Sequence, residues 1–477
     1  MASTDLDAPW SHADMAHGLV KALGQDVRWV PDLRGGELVW FGEGRWHGEP
    51  GCHAHVVALM GNLIIAQARA LRLTPRAYKE MTNSGFRHGS IGSIIELHQE
   101  LHRPLDQWDT RRTDLQTLQS VWDLETGVRR DTRRDDYNLD HARVEPDANG
   151  PRAMFDGVLA NCFAGCPDDL AFFLDRIGSA ANGYNEGQKF NWIIGEANAG
   201  KSTLITVIAR LLGSYARFAN SAVVVTPPGT RGLDGQVQRF HLATYARKRM
   251  LVFDEAPARG KLNAVVFKAL ANGSETPVED KGVRPDEARF IASPFLITNR
   301  VIEGSLDGED GLSIRRRLAL ICADGLPPEV LIDQLTDLIV EEEGPAVLAW
   351  LIEQAHRHHE ARGILGQGAP PMSDKARDIV EGFTEGGTGL AEQAWINERL
   401  DRTGASGDTL RSTDMWEDFN SWWSARPGQL ETPTSSVNFF RQIRVLLERE
   451  GIVWHALVDS GVEGANRVKG YRGVRWK

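Results

Sequence analysis

The chemistry this sequence could do is concentrated in Gly195-Glu-Ala-Asn-Ala-Gly-Lys-Ser-Thr203, a glycine-rich turn ending in a lysine and two hydroxyls with the spacing G-x-x-x-x-G-K-S. Successive backbone N–H groups of such a turn, with the start of a following helix, form a concavity that suits phosphate oxygens. Gly195 and Gly200 allow backbone angles that a Cβ would obstruct, Lys201 has the reach for β and γ phosphates, and Ser202 is placed to ligate Mg²⁺. The expected cofactor is therefore ATP with Mg²⁺, held by Gly195, Glu196, Ala197, Asn198, Ala199, Gly200, Lys201, Ser202 and Thr203. Two further stretches end in groups that would complete such a site. Asp254 and Glu255 close the apolar run Arg249-Met-Leu-Val-Phe-Asp-Glu255, and Asn299 closes Pro294-Phe-Leu-Ile-Thr-Asn299. Side chains at the carboxyl ends of strands in an open α/β sheet project into the crevice where ligands bind. On this reading Asp254 shares the Mg²⁺ with Ser202, Glu255 polarises the attacking water, and the Asn299 amide orients that water near the γ phosphate.

For these groups to meet, three strands must bring their tips together. Phe190-Asn-Trp-Ile-Ile194 reads as a buried strand running into the glycine turn, and Leu204 to Leu212 as the helix leaving it. The runs ending at Glu255 and Asn299 are continuously apolar, as central strands of a parallel sheet covered on both faces are. Strands alternating with helices predict an α/β motor domain, a parallel sheet with helices on both faces.

At 477 residues the chain is too long for one ordinary core, and about two to four domains are expected. No apolar run approaches the roughly 20 residues of a bilayer span, and the N-terminus lacks the pattern of a signal peptide, so a cytoplasmic protein without a membrane partner is expected. Cys52, Cys162, Cys166 and Cys322 lack the paired spacing of a zinc ribbon and read as reduced, structural thiols. The formal charge of −11 argues against nonspecific coating of nucleic acid. It is compatible with a channel lined by a few cations, because local potential governs such contacts.

Residues 1–24 are polar and read as a flexible N-terminus. A mixed α+β N-terminal domain is expected over 25–150, with short strands in which Trp29, Trp40 and Trp46 pack a small sheet, helices from His53 to Leu73 and from Ile91 to Leu101, and a strand and turn from Leu118 to Gly127. Arg129, Arg130, Arg133 and Arg134 alternate with Asp131, Asp135 and Asp136 and read as a solvated face. The motor spans 151–362, and the glycines and prolines of Gly363 to Pro371 mark a linker at 363–372. His356, His358 and His359, on a helix before that linker, point in different directions and read as a solvated face rather than a metal site. Over 373–477, helices followed by a two-stranded hairpin predict a winged-helix domain. Its basic cluster Arg467, Lys469, Arg472, Arg475 and Lys477, with Arg441 and Arg444, reads either as a duplex-binding or origin-binding surface or as the ordinary charge of a soluble wing.

The order and spacing of Gly195 to Thr203, Leu251-Val-Phe-Asp-Glu255, Lys268-Ala-Leu-Ala-Asn-Gly273 and Phe295-Leu-Ile-Thr-Asn299 resemble the superfamily 3 helicases, specifically the phage and plasmid primase-helicase family that includes the poxvirus primase-helicase. Trp122-Asp-Leu-Glu-Thr-Gly127 is similar to a signature preceding the helicase in that family, Arg315-Arg-Arg-Leu318 to its paired-arginine motif, and Arg467 to Lys477 to its characteristic ending. The resemblance covers about residues 25–477 and is most specific in the motor. It implies an ATP-dependent DNA helicase for replication of a phage, plasmid or integrated element, assembled as a homo-oligomeric ring, usually a hexamer. ATP would sit between subunits, where Arg316, or Arg317 as second choice, stabilises charge on the transferring phosphoryl group of the neighbour's site. It also implies single-stranded DNA in a central channel, gripped by a hairpin between the acidic strand and the Asn299 strand. Lys281 and Arg284 stand in that stretch, with Lys268 as a further DNA contact. Glu279 and Asp280 stand roughly where many relatives carry an arginine, a departure at the expected grip. The segment before residue 25 is too short for the polymerase domain of fused primase-helicases, so a separate primase or polymerase is the expected partner, with no primer synthesis by this chain. The alternatives are an ATP-dependent origin-binding initiator without sustained unwinding and a P-loop ATPase that remodels protein.

Overall fold

The computed structural model describes residues 10–477 apart from 72, 186, 227–244, 246, 255–260, 273–274, 279–285, 290, 300–301, 303–307, 327, 329–331, 333, 363–369, 383–389, 406, 425–435, 449–451, 453 and 459–467. Helix α1 (His12–Leu23) lies within the stretch expected to be flexible. Two local features make it a helix. The Ser11 side chain accepts from the Asp14 N–H while the Asp14 carboxylate accepts from the Ser11 N–H, a reciprocal cap. Met15, Ala16 and Leu19 then form a stripe buried among α2 (Cys52–Ala70), α3 (Pro75–Thr82) and α4 (Ser84–Leu97). Strands β1 (Val27–Val30), β2 (Glu37–Gly42) and β3 (Arg45–His47) form an antiparallel sheet. Trp46 is buried there against Trp108 and Tyr137, with ring centroids 5.1 and 5.8 Å away, so the expected core role holds for Trp46, while Trp29 and Trp40 pack half-buried against the helices.

Next come the antiparallel strands β4 (Asp114–Gln116), β5 (Ser120–Asp123) and β6 (Val128–Asp131). The turn joining β5 to β6 explains the Asp-Leu-Glu-Thr-Gly signature. Asp123 Oδ1 accepts from the N–H groups of Glu125 and Thr126, and Gly127 takes φ +69°.

Helices α5 (Ala153–Cys162) and α6 (Pro167–Ala181) precede β7 (Phe190–Ile194), and α7 (Lys201–Leu211) follows it. Then come β8 (Ala216–Asn220), β9 (Val225–Thr226), β10 (Met250–Asp254), β11 (Lys261–Leu262), α8 (Ala264–Asn272), β12 (Glu275–Val278), β13 (Asp286–Arg289), β14 (Ser293–Ile297), α9 (Gly308–Arg317) and β15 (Leu318–Cys322). Five of these strands form a sheet in the order β15-β7-β14-β10-β8, and every pairing is parallel. Their continuous apolar character follows from coverage on both faces. Ile193, Val252, Phe295 and Ile321 pack toward α5, α6 and α7, while Trp192, Phe253, Leu296 and Leu320 pack toward α8 and the residues around Val224. Thus β10 and β14 are interior strands, as their sequences predict.

A short helix, α10 (Leu335–Leu338), runs through one π turn into α11 (Gly344–Ala361). Val347, Leu351, Ala355 and His358 share the face of α11 that packs on α6. The reading of the three histidines as a solvated face is therefore corrected at His358, which is 2% exposed and lies 2.7 Å from Asp175 Oδ1 on α6. His359 bonds Asn182, and His356 bonds the Glu125 carbonyl and so holds the β5–β6 turn on α11. Arg249, buried just before β10, joins β4 to the sheet. Its guanidinium donates to the Ala181 and Asp114 carbonyls and lies 4.0 Å from the centre of the Tyr215 ring.

Beyond α12 (Asp374–Gly382) are α13 (Leu390–Arg399), β16 (Leu400–Arg402), β17 (Thr409–Arg411), α14 (Ser412–Ser424), α15 (Ser436–Glu448), β18 (Trp454–Val458), β19 (Val468–Arg472) and β20 (Val474–Trp476). They enclose a separate core around Trp395, Phe419, Phe439, Ile443 and Tyr471, with sheets β17-β19-β18 and β16-β20. Among the described residues no helix is long and apolar enough to cross a membrane.

Candidate functional site

The glycine turn sits where β7 ends and α7 begins, and its two glycines are required sterically. Gly195 has φ +153°, and a Cβ there would lie 1.8 Å from the Ala323 carbonyl oxygen at the end of β15. Gly200, at φ +99°, caps α7, and its Cβ would press on Val158 of α5 at 2.9 Å. Asn198 also takes a left-handed conformation, at φ +60°. Three backbone positions of this kind in six residues bend the chain into the concavity predicted for a phosphate.

Lys201 gathers the site. Its ammonium donates to the carbonyls of Gly195, at 2.9 Å, and Glu196, and to Asn299 Oδ1 at 3.3 Å. The residue is 5% exposed, so the cation stands at the bottom of the turn. The link to Asn299 follows from strand order: β14 lies directly between β7 and β10. The registers Ile193 to Ile297 and Phe253 to Leu296 bring Gly195, Asn299 and Asp254, the last residue of β10, to one edge of the sheet. Two interstrand steps separate the β7 and β10 tips, about 10 Å, a span a polyphosphate chain can bridge.

A cavity of about 620 Å³ opens at that edge. Ala197, Asn198, Ala199, Gly200, Lys201, Ser202, Thr203 and Asn299 line its polar side. Met154, Val158, Pro328, Ile332 and Leu335 line an apolar side that the sequence reading did not assign. These residues come from α5 and from the segment after β15, both distant from the turn in sequence, so no local spacing announces them. The wall is fastened: Glu343 accepts from the Met154 and Phe155 N–H groups at 2.8 Å, capping α5, and Asp337 pairs with Arg210 of α7. Below the turn, burial pushes the Cys162 thiol up to about 12, opposed by the charge of Lys201, so this cysteine is a packing group. That agrees with the reading of the cysteines as thiols, and all four are free.

Ser202 lines the cavity, and β10, the next strand but one from β7, ends at Asp254. Glu255, Lys281 and Arg284 lie outside the described residues. The hairpin expected between the acidic strand and the Asn299 strand is present as β12 paired with β13, Val278 opposite Asp286, and its tip at 279–285 is likewise outside them. Lys268 is half-buried on α8, away from the cavity.

Arg316 and Arg317 stand at the other edge of the sheet. They precede Leu318, which pairs with Phe190 at the start of β7, so a strand length, roughly 15 Å, separates them from the glycine turn of their own chain. Arg317 donates to Asn272 Oδ1 and to the Ser313 carbonyl and hydroxyl at 2.9 Å. The Arg316 side chain is exposed, while its carbonyl accepts from Lys189 at 2.8 Å.

A family model described as a family of unknown function, DUF5906, matches residues 193–317, the stretch from β7 to α9. No curated protein matches the chain. Among solved structures, the chain is similar to the apo structure of the NrS-1 C terminal region, at 14% identity and a TM-score of 0.38, covering 70% of this chain and 78% of that one. It is also similar to the A form apo structure of the same region, at 12% identity and a TM-score of 0.45, covering 98% of this chain and 100% of that one.

Proposed function

We propose that this chain binds and hydrolyses ATP with Mg²⁺ and that turnover drives a ring of identical subunits along DNA, as a replicative helicase of a phage, plasmid or integrated element. The observation that carries the ATPase part is the meeting of Lys201 and Asn299 at one cavity, at the end of a five-stranded parallel sheet where the β10 strand also terminates, at Asp254. Backbone N–H groups of the turn and the Lys201 ammonium would hold the phosphates. Ser202 and Asp254 would hold Mg²⁺, which supplies charge neutralisation at the phosphate oxygens. Asn299, already within reach of Lys201, would orient water at the terminal phosphate, with Glu255 polarising it. The DNA part rests on the family resemblance of the motifs, supported by a β12–β13 hairpin in the expected place.

The test pairs two variants with two assays. Lys201→Ala should abolish ATP turnover. Glu255→Gln should still bind nucleotide while turnover falls by at least about 100-fold, the scale of losing a positioned base. The parent should displace a strand from a forked duplex only when ATP and Mg²⁺ are present. Parental turnover by Glu255→Gln would remove Glu255 from the mechanism. A second reading, an origin-binding initiator, is favoured by the exposed Arg472, Arg475 and Lys477, which stand on or just beyond β19 and β20. A footprint on the element's origin without strand displacement would select it.

A further inference from the structure

We infer that Asn161 is a positioning residue for the nucleotide: its side-chain amide ties the phosphate-binding turn to the apolar wall of the cavity, so that affinity for a ligand carrying a base depends on it more than affinity for a bare phosphate chain does. The inference rests on the nucleotide reading above. Asn161 lies in the last turn of α5, half-buried, and lines the cavity. Its Nδ2 donates to the Ala199 carbonyl at 3.2 Å and to the Leu326 carbonyl at 3.0 Å, which uses both hydrogens of the amide.

The two bonds have different consequences. The Ala199 carbonyl and the Gly200 N–H belong to one planar trans peptide and point in opposite directions, so holding the carbonyl fixes the direction of an N–H in the phosphate-binding turn. The other bond holds the start of the segment whose Pro328, Ile332 and Leu335 form the apolar wall. The same junction is tightened by backbone contacts. Gly325 N–H donates to the Cys162 carbonyl at 3.2 Å, and a Cβ on Gly325 would lie 2.0 Å from the Asn161 carbonyl oxygen. With Glu343 capping the other end of α5, that helix is pinned at both ends, and the Asn161 side chain reaches both halves of the cavity.

The experiment measures binding of a slowly hydrolysed ATP analogue and of inorganic tripolyphosphate, each with Mg²⁺, to the full chain and to Asn161→Ala, Asn161→Asp and Lys201→Ala. Asn161→Ala should weaken the analogue about tenfold and tripolyphosphate less than about threefold, with a raised KM for ATP and kcat within about twofold, the pattern of lost uniform binding. Asn161→Asp keeps the shape but has no donor and sets a carboxylate against the two carbonyls, and should weaken the analogue at least as much as Asn161→Ala. Equal losses for the two ligands in Asn161→Ala would overturn the inference, as would parental affinity in either Asn161 variant while Lys201→Ala has lost both ligands. Parental affinity in Lys201→Ala would instead overturn the nucleotide reading itself.

Discussion

At the scale of single residues, Arg316 and Arg317 show how adjacent, chemically identical side chains come to different surroundings. The Arg317 guanidinium is committed to Asn272 and Ser313, which ties the end of α9 to α8. Arg316 is held by its carbonyl and presents its side chain outward, a strand length from its own glycine turn. Arg316→Ala should therefore fold normally and lose ATP turnover by at least about 100-fold, as loss of an arginine supplied in trans does. Arg317→Ala should instead lower stability by about 1 kcal/mol, the scale of hydrogen bonds lost at half-buried partners. Thermal melts set beside turnover rates separate the two, and parental turnover by Arg316→Ala would end its proposed role. The glycine turn was legible in the sequence because its parts are contiguous and each has a local steric reason. Asn161 was not, because its role exists only once α5 docks against the turn and the segment after β15 crosses it.

Whole elements were legible where periodicity and burial agreed, as in β7, β10 and β14. Asn191 is the exception inside β7. A polar side chain in a fully buried strand is satisfied by Arg176, whose Nε donates to Asn191 Oδ1 at 2.7 Å, while Asn191 donates to the Pro294 carbonyl of β14. Burial pulls the Arg176 guanidinium down to about 10, where it still carries its charge at neutral pH. Strand β8 escaped the reading because Arg217 and Phe218 are exposed on an edge, and β15 because it follows the arginines of α9 with no turn residue between. The packing of α11 on α6 was missed for a related reason, since His358 occupies an apolar stripe position as a polar residue. Its partner Asp175 is pushed up by burial, yet the His358 hydrogen bond and the nearby charges of His358, Arg362 and Arg176 hold its carboxyl below the ordinary value of 3.8. A carboxylate depressed in this way contributes stability that is full above its unfolded value and lost as pH falls below it. Asp175→Asn should accordingly cost about 3 kcal/mol at pH 7, the scale of breaking a buried pair. The difference from the parent should shrink as pH drops below about 4. Chemical denaturation at the two pH values checks this, and an undiminished difference in acid would contradict an ionic role for the pair.

The whole molecule sets the glycine turn and the arginine pair at opposite edges of one sheet, so a single chain cannot bring them together. The ring proposed above would resolve that separation by placing the arginine of one copy at the nucleotide of the next. Light scattering should show several copies per particle with Mg²⁺ and the ATP analogue, and fewer in Lys201→Ala. A single-chain mass under both conditions would leave Arg316 without a site to serve. At this scale the sequence showed which segments belong together, through motif order, while the apolar wall, the pinned α5 and the separation of the arginines required the assembled fold.

The most direct test is the steady-state rate of ATP hydrolysis by the purified chain with Mg²⁺, measured with and without single-stranded DNA. Turnover that rises about tenfold or more with DNA and vanishes in Lys201→Ala is the predicted result, on the scale expected when a ligand completes a catalytic constellation. No turnover by the parent, or turnover that persists in Lys201→Ala, would contradict the account.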